Sequence, residues 1–487
     1  MNKGSIYKEI IQSKDGHAIP LLINGKSIDS RYKAIKSAQT LISEVRENTG
    51  FVILFGLSSG LFVEEILKIR TIKILILEIN QEDYNFLNQI PLIKNLNNEN
   101  LIFSTLNTVK EDLINSYLPA IDGNLQIIEQ KPWIECNQNF LDEINCKIQD
   151  GLKIISQDYS TQAHFGKIWN NNILRNIKLL DYSDKNPLIY NQNKIAAVIA
   201  AGPSLDESVK IIEKNREKYL VIACDTAFQA LLKRNIFVDF VISIDGQFIS
   251  HNHFFNHYEG SHFFFDLAAD FSSAQLIAKS KNNLHFFVSG HPLSNLVNKI
   301  NSNNLPKLYT GSGTVTIAAL DFAIKLGFKK IQIFAADFSY INGKAYTKGT
   351  YLDSLYSINS NKIFSMEKKF EQLQFRTPLN KISENKFSSE LLESYKQSFL
   401  NYINKLGIKI EFKNDIYHLE NIYSSKELFV KSSISSEEIL KELSKCGKEE
   451  LLNPLLPYIA YLRYKDNNSK TFEEYWNLAH TNIVSYN

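Results

Sequence analysis

The chain has 487 residues, of which 44% are apolar and 22% charged, with a formal net charge of +2. This is the composition of an ordinary globular protein, long enough for about three domains of ~150 residues. The near-neutral balance excludes any electrostatic argument for nucleic acid or an anionic membrane as partner. The opening MNKGSIYKEIIQSKDG lacks the apolar core of a secretory signal, and no run approaches the ~18 apolar residues that span a bilayer. Cys136, Cys146, Cys224 and Cys446 are scattered without metal-like spacing, so a reducing, cytoplasmic setting is expected.

Residues 1–50 mix short strands with a turn at Asn24-Gly25 and a helix over Lys33–Glu47. FVILF (Phe51–Phe55) then enters GLSSG, the helix LFVEEILKI follows, and KILILE (Lys73–Glu78) is the next buried strand. NLIFST near residue 103 and NLQIIE (Asn124–Glu129) continue the alternation. Apolar strands separated by helical stretches specify a parallel sheet covered on both faces. GLSSG followed by Glu78 at the next strand end resembles a nucleotide or S-adenosylmethionine fingerprint, but without its fuller glycine pattern. A structural or acceptor-docking role is favoured over methyl transfer for this first α/β unit.

From Asn139 to about Leu180 the pattern is helical and free of proline, reading as one or two connecting helices that carry FGKIWNNNILRNI. A second α/β series begins near Lys194. Its strands are KIAAVIA, YLVIA, VDFVISI, HFFF, NLHFFVS, KLYT and KIQIFAA, with a late strand IKIEF (Ile408–Phe412) after a helix over Ser388–Lys405. Between KLYT and KIQIFAA, Val315, Ala318, Ala319, Phe322, Ala323 and Leu326 recur at helical spacing, and Gly327 ends the helix. From SSISSEEIL onward the chain is helical and polar. LLNPLLPYIAYLRY (Leu451–Tyr464) within it is apolar enough to pack.

Five polar turns fall at strand ends of the second series. After KIAAVIA, Gly202 and Pro203 make a turn into Ser204, and Ser204 with Glu207 spells a capping box. A helix N-terminus there suits a phosphate. Asp225 follows YLVIAC at the carboxyl edge, as a ribose or base ligand or as an N-cap. Asp245, Gly246 and Gln247 follow VDFVISI, a carboxylate, a permissive backbone and an amide that suit a sugar or an ordinary turn. Thr310, Gly311, Ser312, Gly313 and Thr314 form a hydroxyl-rich loop that opens the next helix. Asp337 ends KIQIFAA, and Tyr340, Lys344, Tyr346 and Lys348 cluster after it, groups able to neutralise a leaving phosphate or simply to be solvated. Each turn alone reads equally well as ordinary punctuation; together they are what a nucleotide-sugar pocket requires. No Asp-x-Asp occurs in these loops, so no metal or other cofactor is expected at this pocket. His251, His253, His257 and His262 are irregularly spaced among aromatics, which favours a mixed surface or core over a metal site, and His291 follows Ser289-Gly290. Asp245 and His291 are the candidate bases.

These motifs in order, AAGPSL, IACDTAFQALL, VISIDGQ, TGSGTVTIAALDFAIKLGFKKIQIFAADFSY and GKAYTKGT, resemble the Maf motility-accessory-factor family. SIDSRYKAIKSA and HFGKIWNNNILRNI are similar to its flanking segments. The resemblance spans about residues 20 to 425. It implies an α/β fold with two Rossmann-like domains, a small N-terminal one and a larger central sialyltransferase-like one, and a helical C-terminal region. The segments expected are 1–138, connecting helices 139–185, central domain 186–425 and helical region 426–487. It further implies transfer of a nonulosonic acid of pseudaminic or legionaminic type from a CMP-activated donor to Ser/Thr hydroxyls of flagellin, in support of flagellum formation and motility. The donor set so implied is Gly202, Pro203, Ser204, Asp225, Gln247, the 310–314 loop, Asp337, Tyr340, Tyr346 and Lys348, with flagellin and the CMP-sugar as partners. An oligomer is compatible with the sequence, which does not set its order. The paired amides of related sialyltransferases are replaced here by Asp225-Thr226. The alternatives are a pterin pyrophosphokinase-like enzyme, from the same superfamily, and a non-catalytic flagellin-binding or export factor.

Overall fold

A computed structural model of the chain describes residues 4–184, 186, 188–256, 260–280, 283–311, 313–358, 360–361, 365–422 and 434–486. Two compact units emerge: 1–166 with 456–479, and 167–455 with 480–487. They do not follow consecutive segments, because the long helix Leu141–Ile177 contributes to both and the last helices divide between them. The junction expected at 425/426 lies outside the described residues.

In unit 1, β1 (Tyr7–Gln12) and β2 (Ala18–Leu22) form an antiparallel hairpin. The main sheet comprises β3 (Thr49–Phe55), β4 (Lys73–Glu78), β5 (Leu101–Thr105) and β6 (Asn124–Glu129), all parallel in the order β5-β4-β3-β6. Phe51 to Phe55 are fully buried, as a strand covered on both faces requires. Gly166 lets the long helix meet Pro457 closely, since a Cβ there would lie 1.8 Å from the Pro457 carbonyl. Arg463 donates to the carbonyls of Ala120 and Ile121, so residues 456–464 of the apolar C-terminal stretch pack within this unit.

Unit 2 holds an eight-stranded sheet. Its strands β7 (Ile195–Ile199), β8 (Tyr219–Cys224), β9 (Phe240–Ser243), β10 (His262–Asp266), β11 (Asn283–Phe287) and β12 (Lys330–Phe334) are parallel. A small sheet pairs β13 (Tyr340–Ile341) and β14 (Asn380–Ser383) with β15 (Lys386–Ser388). The last two strands, β16 (Ile410–Lys413) and β17 (Ile416–Glu420), join the main sheet as an antiparallel hairpin, giving the order β11-β10-β9-β8-β7-β12-β17-β16. The strand count therefore exceeds the single late strand expected. KLYT is not a strand: Lys307 makes only an isolated bridge to Val288, and the Tyr309 N–H is taken by the Asp321 carboxylate at 2.7 Å. Strands run outward from β7 to β11 on one side, and the chain then returns to β12 on the other. That reversal between β7 and β12 is the topological switch point, where open α/β sheets bind ligands.

The fingerprint of unit 1 is satisfied internally. Glu78, fully buried, accepts from the Tyr7 hydroxyl at 2.9 Å, the Leu57 N–H at 2.7 Å and Trp133 Nε1 at 2.8 Å. Burial pushes its carboxyl up to about 8, against those three donors. Replacing Glu78 by Ala strands three buried donors and is expected to cost at least about 3 kcal/mol of unfolding free energy in urea titration. Glu78→Gln, which retains one acceptor oxygen, should cost less than Ala; equal stability of wild type and Glu78→Ala would overturn this assignment.

Candidate functional site

The carboxyl ends of β7 and β12 are drawn together by hydrogen bonds between segments far apart in sequence. The Ser204 N–H donates to Asp337 Oδ2 at 2.8 Å, the Gly202 N–H to the Ala335 carbonyl at 3.0 Å, and the Thr347 N–H to the Ala201 carbonyl at 2.9 Å. Asp206 accepts from the Thr347 hydroxyl, the Lys348 N–H and Arg234. Two non-glycine residues of the turn after β12 sit in the left-handed region, Ala335 at φ 56° and Phe338 at φ 47°. Each such residue stores roughly 1–3 kcal/mol, strain that concentrates at functional sites.

The result is a cavity of about 200 Å³ at the switch point. Ala200, Ala201 and Gly202 wall it from β7, Cys224 and Thr226 from β8, and Ala335 to Tyr340 with Tyr346 from the segment after β12. Val315 and Thr316 close it with the first turn of the helix Val315–Lys325, whose N-cap Thr314 accepts from the Ile317 N–H. The first N–H groups of such a helix have no intrahelical partner and favour an anion.

Gly202, Asp337, Tyr340 and Tyr346 of the sequence-derived set line this cavity, while Pro203 and Ser204 continue the turn beside it. The capping box is not formed. Ser204 lies in helical geometry without a side-chain cap bond, and the exposed Glu207 pairs with Lys210. The helix start that sequence offered to a phosphate is met instead by the carboxylate of Asp337, whose pKa burial raises against hydrogen bonding from Ser204.

Asp225 is the first residue of its helix rather than the N-cap, and its oxygens are engaged by the Thr226 N–H and hydroxyl and by the Ser243 hydroxyl at 2.8 Å. Its neighbour Thr226, which stands where related sialyltransferases carry an amide, lines the cavity. Thr310, Gly311, Gly313 and Thr314 precede the helix without lining the cavity, and Ser312 and His257 lie outside the described residues. Gln247 and Lys348 are exposed and act through their backbones.

Asp245 is partly buried, and burial raises its pKa, with Asp225 and Asp270 adding to the effect. The Tyr351 hydroxyl is pushed up to about 12, by burial first, then by Tyr346 and Tyr356, with Asp245 and Asp225 adding; Tyr346 is raised by burial, then by Tyr340 and Asp225. His291 has a different task from the expected base. Its Nδ1 accepts the Leu293 N–H at 3.2 Å as an N-cap, so the proton of the neutral ring sits on Nε2, and the ring stands edge-on to Trp169. A base needs the lone pair that this cap consumes.

The FGKIWNNNILRNI segment frames the same edge. Asn172 Nδ2 donates to the Gly246 and Ala268 carbonyls, and Asn176, one turn on, donates to the Leu267 and Ala269 carbonyls. In unit 1 a larger, open cleft of about 590 Å³ is lined by residues that include Lys33, Lys36 and Lys131. The Asp29 carboxylate already accepts from the Ser58 hydroxyl and the Ser59 N–H of the GLSSG turn, so an anion finds that turn occupied.

Residues 171–343 match the family described as 6-hydroxymethylpterin diphosphokinase MptE-like. An uncharacterized protein of Treponema pallidum (strain Nichols) is 34% identical over 148 residues, 30% of this chain and 70% of the relative. A second from that organism is 38% identical over 138 residues, 28% of this chain and 49% of the relative. A solved structure described as a MAf glycosyltransferase from Magnetospirillum magneticum AMB-1 aligns with 100% of this chain and 91% of its own, at 12% identity and a TM-score of 0.43. Among the described residues no helix is long and apolar enough to cross a membrane.

A Cβ on Gly202 would lie 2.4 Å from both the Ala335 carbonyl and Asp337 Oδ2, so Gly202→Ala should part the two turns, at a cost of about 1–3 kcal/mol in thermal unfolding. Burial lowers His291 from 6.5 to about 4, so the unfolded chain binds a proton there that the folded one refuses. This contribution is whole above pH 6.5 and is lost as pH falls towards 4. His291→Asn keeps a capping side chain and should flatten the decline of the melting midpoint over that interval; an unchanged slope would remove His291 as its source.

Proposed function

The chain belongs to the same family as the 34%-identical Treponema pallidum protein, and from the chemistry of its switch-point cavity we propose that unit 2 is a glycosyltransferase. It takes a nonulosonic acid of pseudaminic or legionaminic type from a CMP-activated donor and places it on Ser or Thr hydroxyls of flagellin. The observation that carries this reading is the cavity itself, with Thr226, Thr316, Tyr340 and Tyr346 presented around small walls at the sheet's switch point. The order of motifs resembling the Maf family supports the same reading. The cytoplasm, where nucleotide-activated sugars are made, is the compartment that goes with it.

Each residue then has a task. Gly202 and the alanines leave room for the donor, and Tyr340 and Tyr346 donate hydrogen bonds to its phosphate. Burial raises both phenols, so they remain protonated donors. The first turn of the helix Val315–Lys325 meets charge that develops on the departing phosphate. Asp245, outside the cavity lining and with its carboxyl raised by burial, is the group assigned to accept the proton of the attacking hydroxyl. The leaving group is a nucleoside monophosphate, whose charge these donors can meet without a metal.

The match of residues 171–343 to an MptE-like model favours a second reading, pyrophosphoryl transfer to a hydroxymethylpterin. The two are separated by ligand and product. On the first, CMP raises the melting midpoint, and flagellin co-expressed with this chain and a nonulosonic-acid supply gains the mass of the sugar. Tyr346→Phe should lower that transfer by roughly a hundredfold, the scale of losing one donor to transition-state charge. On the second, ATP with magnesium gives the shift and AMP appears with the pterin. Unchanged flagellin mass with folded protein present would falsify the transferase reading.

A further inference from the structure

A second cluster of donor groups lies at the opposite, amino-terminal end of the unit 2 strands. His262 opens β10 and His285 lies within β11, the edge strand of the sheet. Because His262 pairs in register with Asn283, two residues before His285, the two imidazoles project from the same face. They meet nitrogen to nitrogen, His262 Nδ1 and His285 Nε2 standing 2.9 Å apart. Asp184 comes alongside on the segment that follows the long helix, its N–H donating to the Leu284 carbonyl at 2.8 Å. One donor atom from each of Asp184, His262 and His285 lies within 4.8 Å of the others.

From this juxtaposition we propose that Asp184, His262 and His285 form a zinc site that fastens the turn at Asp184 to the edge strand β11. Two imidazoles and one carboxylate are a ligand set for zinc, and two nitrogens on a tetrahedral zinc stand about 3.3 Å apart. The rings need only part by a few tenths of an ångström to admit the ion. A fourth position is left for water.

The surroundings supply the outer partners such a site needs. Asp184 accepts from the Asn186 N–H at 2.9 Å and from its side-chain amide at 2.7 Å, which fixes the carboxylate. Asn283 Nδ2 stands 3.3 Å from His262 Nε2, and the amide, turned over, offers its oxygen to the Nε2 proton once Nδ1 holds metal. Phe264 stacks on His285 with ring centres 4.4 Å apart and holds that ring in its orientation. An edge strand invites pairing with another chain unless it is covered. A bound ion would keep the connecting segment over that edge. The site is separate from the switch-point cavity and stands or falls independently of the function proposed for it.

The test uses the full chain, stripped with a chelator and dialysed. Zinc chloride should bind at one equivalent by elemental mass spectrometry and raise the melting midpoint. Asp184→Asn keeps the shape and the acceptor oxygen facing Asn186, and should lower zinc affinity by about tenfold to a hundredfold in competition with a chromogenic chelator. His262→Gln should abolish the midpoint shift, whereas Cys146→Ala, which removes an exposed thiol, should leave both readouts unchanged. Absence of a zinc-dependent shift in wild type, or equal zinc affinity in wild type, Asp184→Asn and His262→Gln, would overturn the site.

Discussion

The Asp337 carboxylate holding the Ser204 N–H, across 133 residues of chain, is the bond on which the rim of unit 2 depends. It links the turn after β7 to the turn after β12 at the point where strand order reverses. Neither turn would lie where it does by local preference alone. Ala335 and Phe338 take left-handed backbone conformations that L-residues seldom adopt, and such strain persists only when the surroundings over-determine it. The Asp337–Ser204 bond, the Gly202–Ala335 bond and the Thr347–Ala201 bond supply that over-determination. The small residues of AAGPS follow from the same closeness, because a side chain at 202 would strike the carboxylate itself.

A second constraint governs the far side of the same edge. The segments leaving β9 and β10 carry carbonyls that no neighbouring strand satisfies. Asn172 and Asn176 satisfy them from one face of the long helix, each amide nitrogen serving two carbonyls. An amide has two donor hydrogens on one atom, so a single residue can bridge two acceptors in a way that a hydroxyl cannot. That is a physical account of the asparagine-rich stretch WNNNILRNI. It also leaves little room at Gly246, where a Cβ would lie 3.0 Å from the Ala268 carbonyl, 3.1 Å from Trp169 and 3.4 Å from Asn172.

Much of the layout was legible because buried parallel strands leave continuous apolar runs in sequence. FVILF, KILILE, YLVIAC and KIQIF are strands in the structure, and the helix after TGSGT begins where its apolar spacing begins. What escaped detection was set by partners distant in sequence. KLYT has strand composition, yet Asp321 captures the Tyr309 N–H and turns the segment away. Ser204 and Glu207 have capping spacing, yet Asp337 reaches the helix start first. Asp225 read equally as a ligand or an N-cap, and its oxygens accept instead from Thr226 and Ser243, while Thr226 itself lines the cavity. One omission did carry a local signal. The β16–β17 hairpin turns on Asn414-Asp415, both at positive φ, the pair of residue types that a two-residue turn favours.

The two α/β units show why the fold alone does not decide function. In each, strand order reverses beside the first strand of the main series, and in each a turn rich in small residues follows that strand. The difference lies in what fills the corner. In unit 1, Asp29 accepts from the GLSSG turn and Glu78 accepts from Tyr7, Leu57 and Trp133, so carboxylates of the chain itself stand where a phosphate or ribose would bind. In unit 2 one carboxylate, Asp337, ties the turns together, and the groups left around the cavity include the hydroxyls of Thr316, Tyr340 and Tyr346. Hydroxyl groups can donate to an incoming anion, whereas buried carboxyl groups that already take the corner's donors leave it nothing to bind. The same topology thus yields a closed structural corner in one unit and a receptive one in the other.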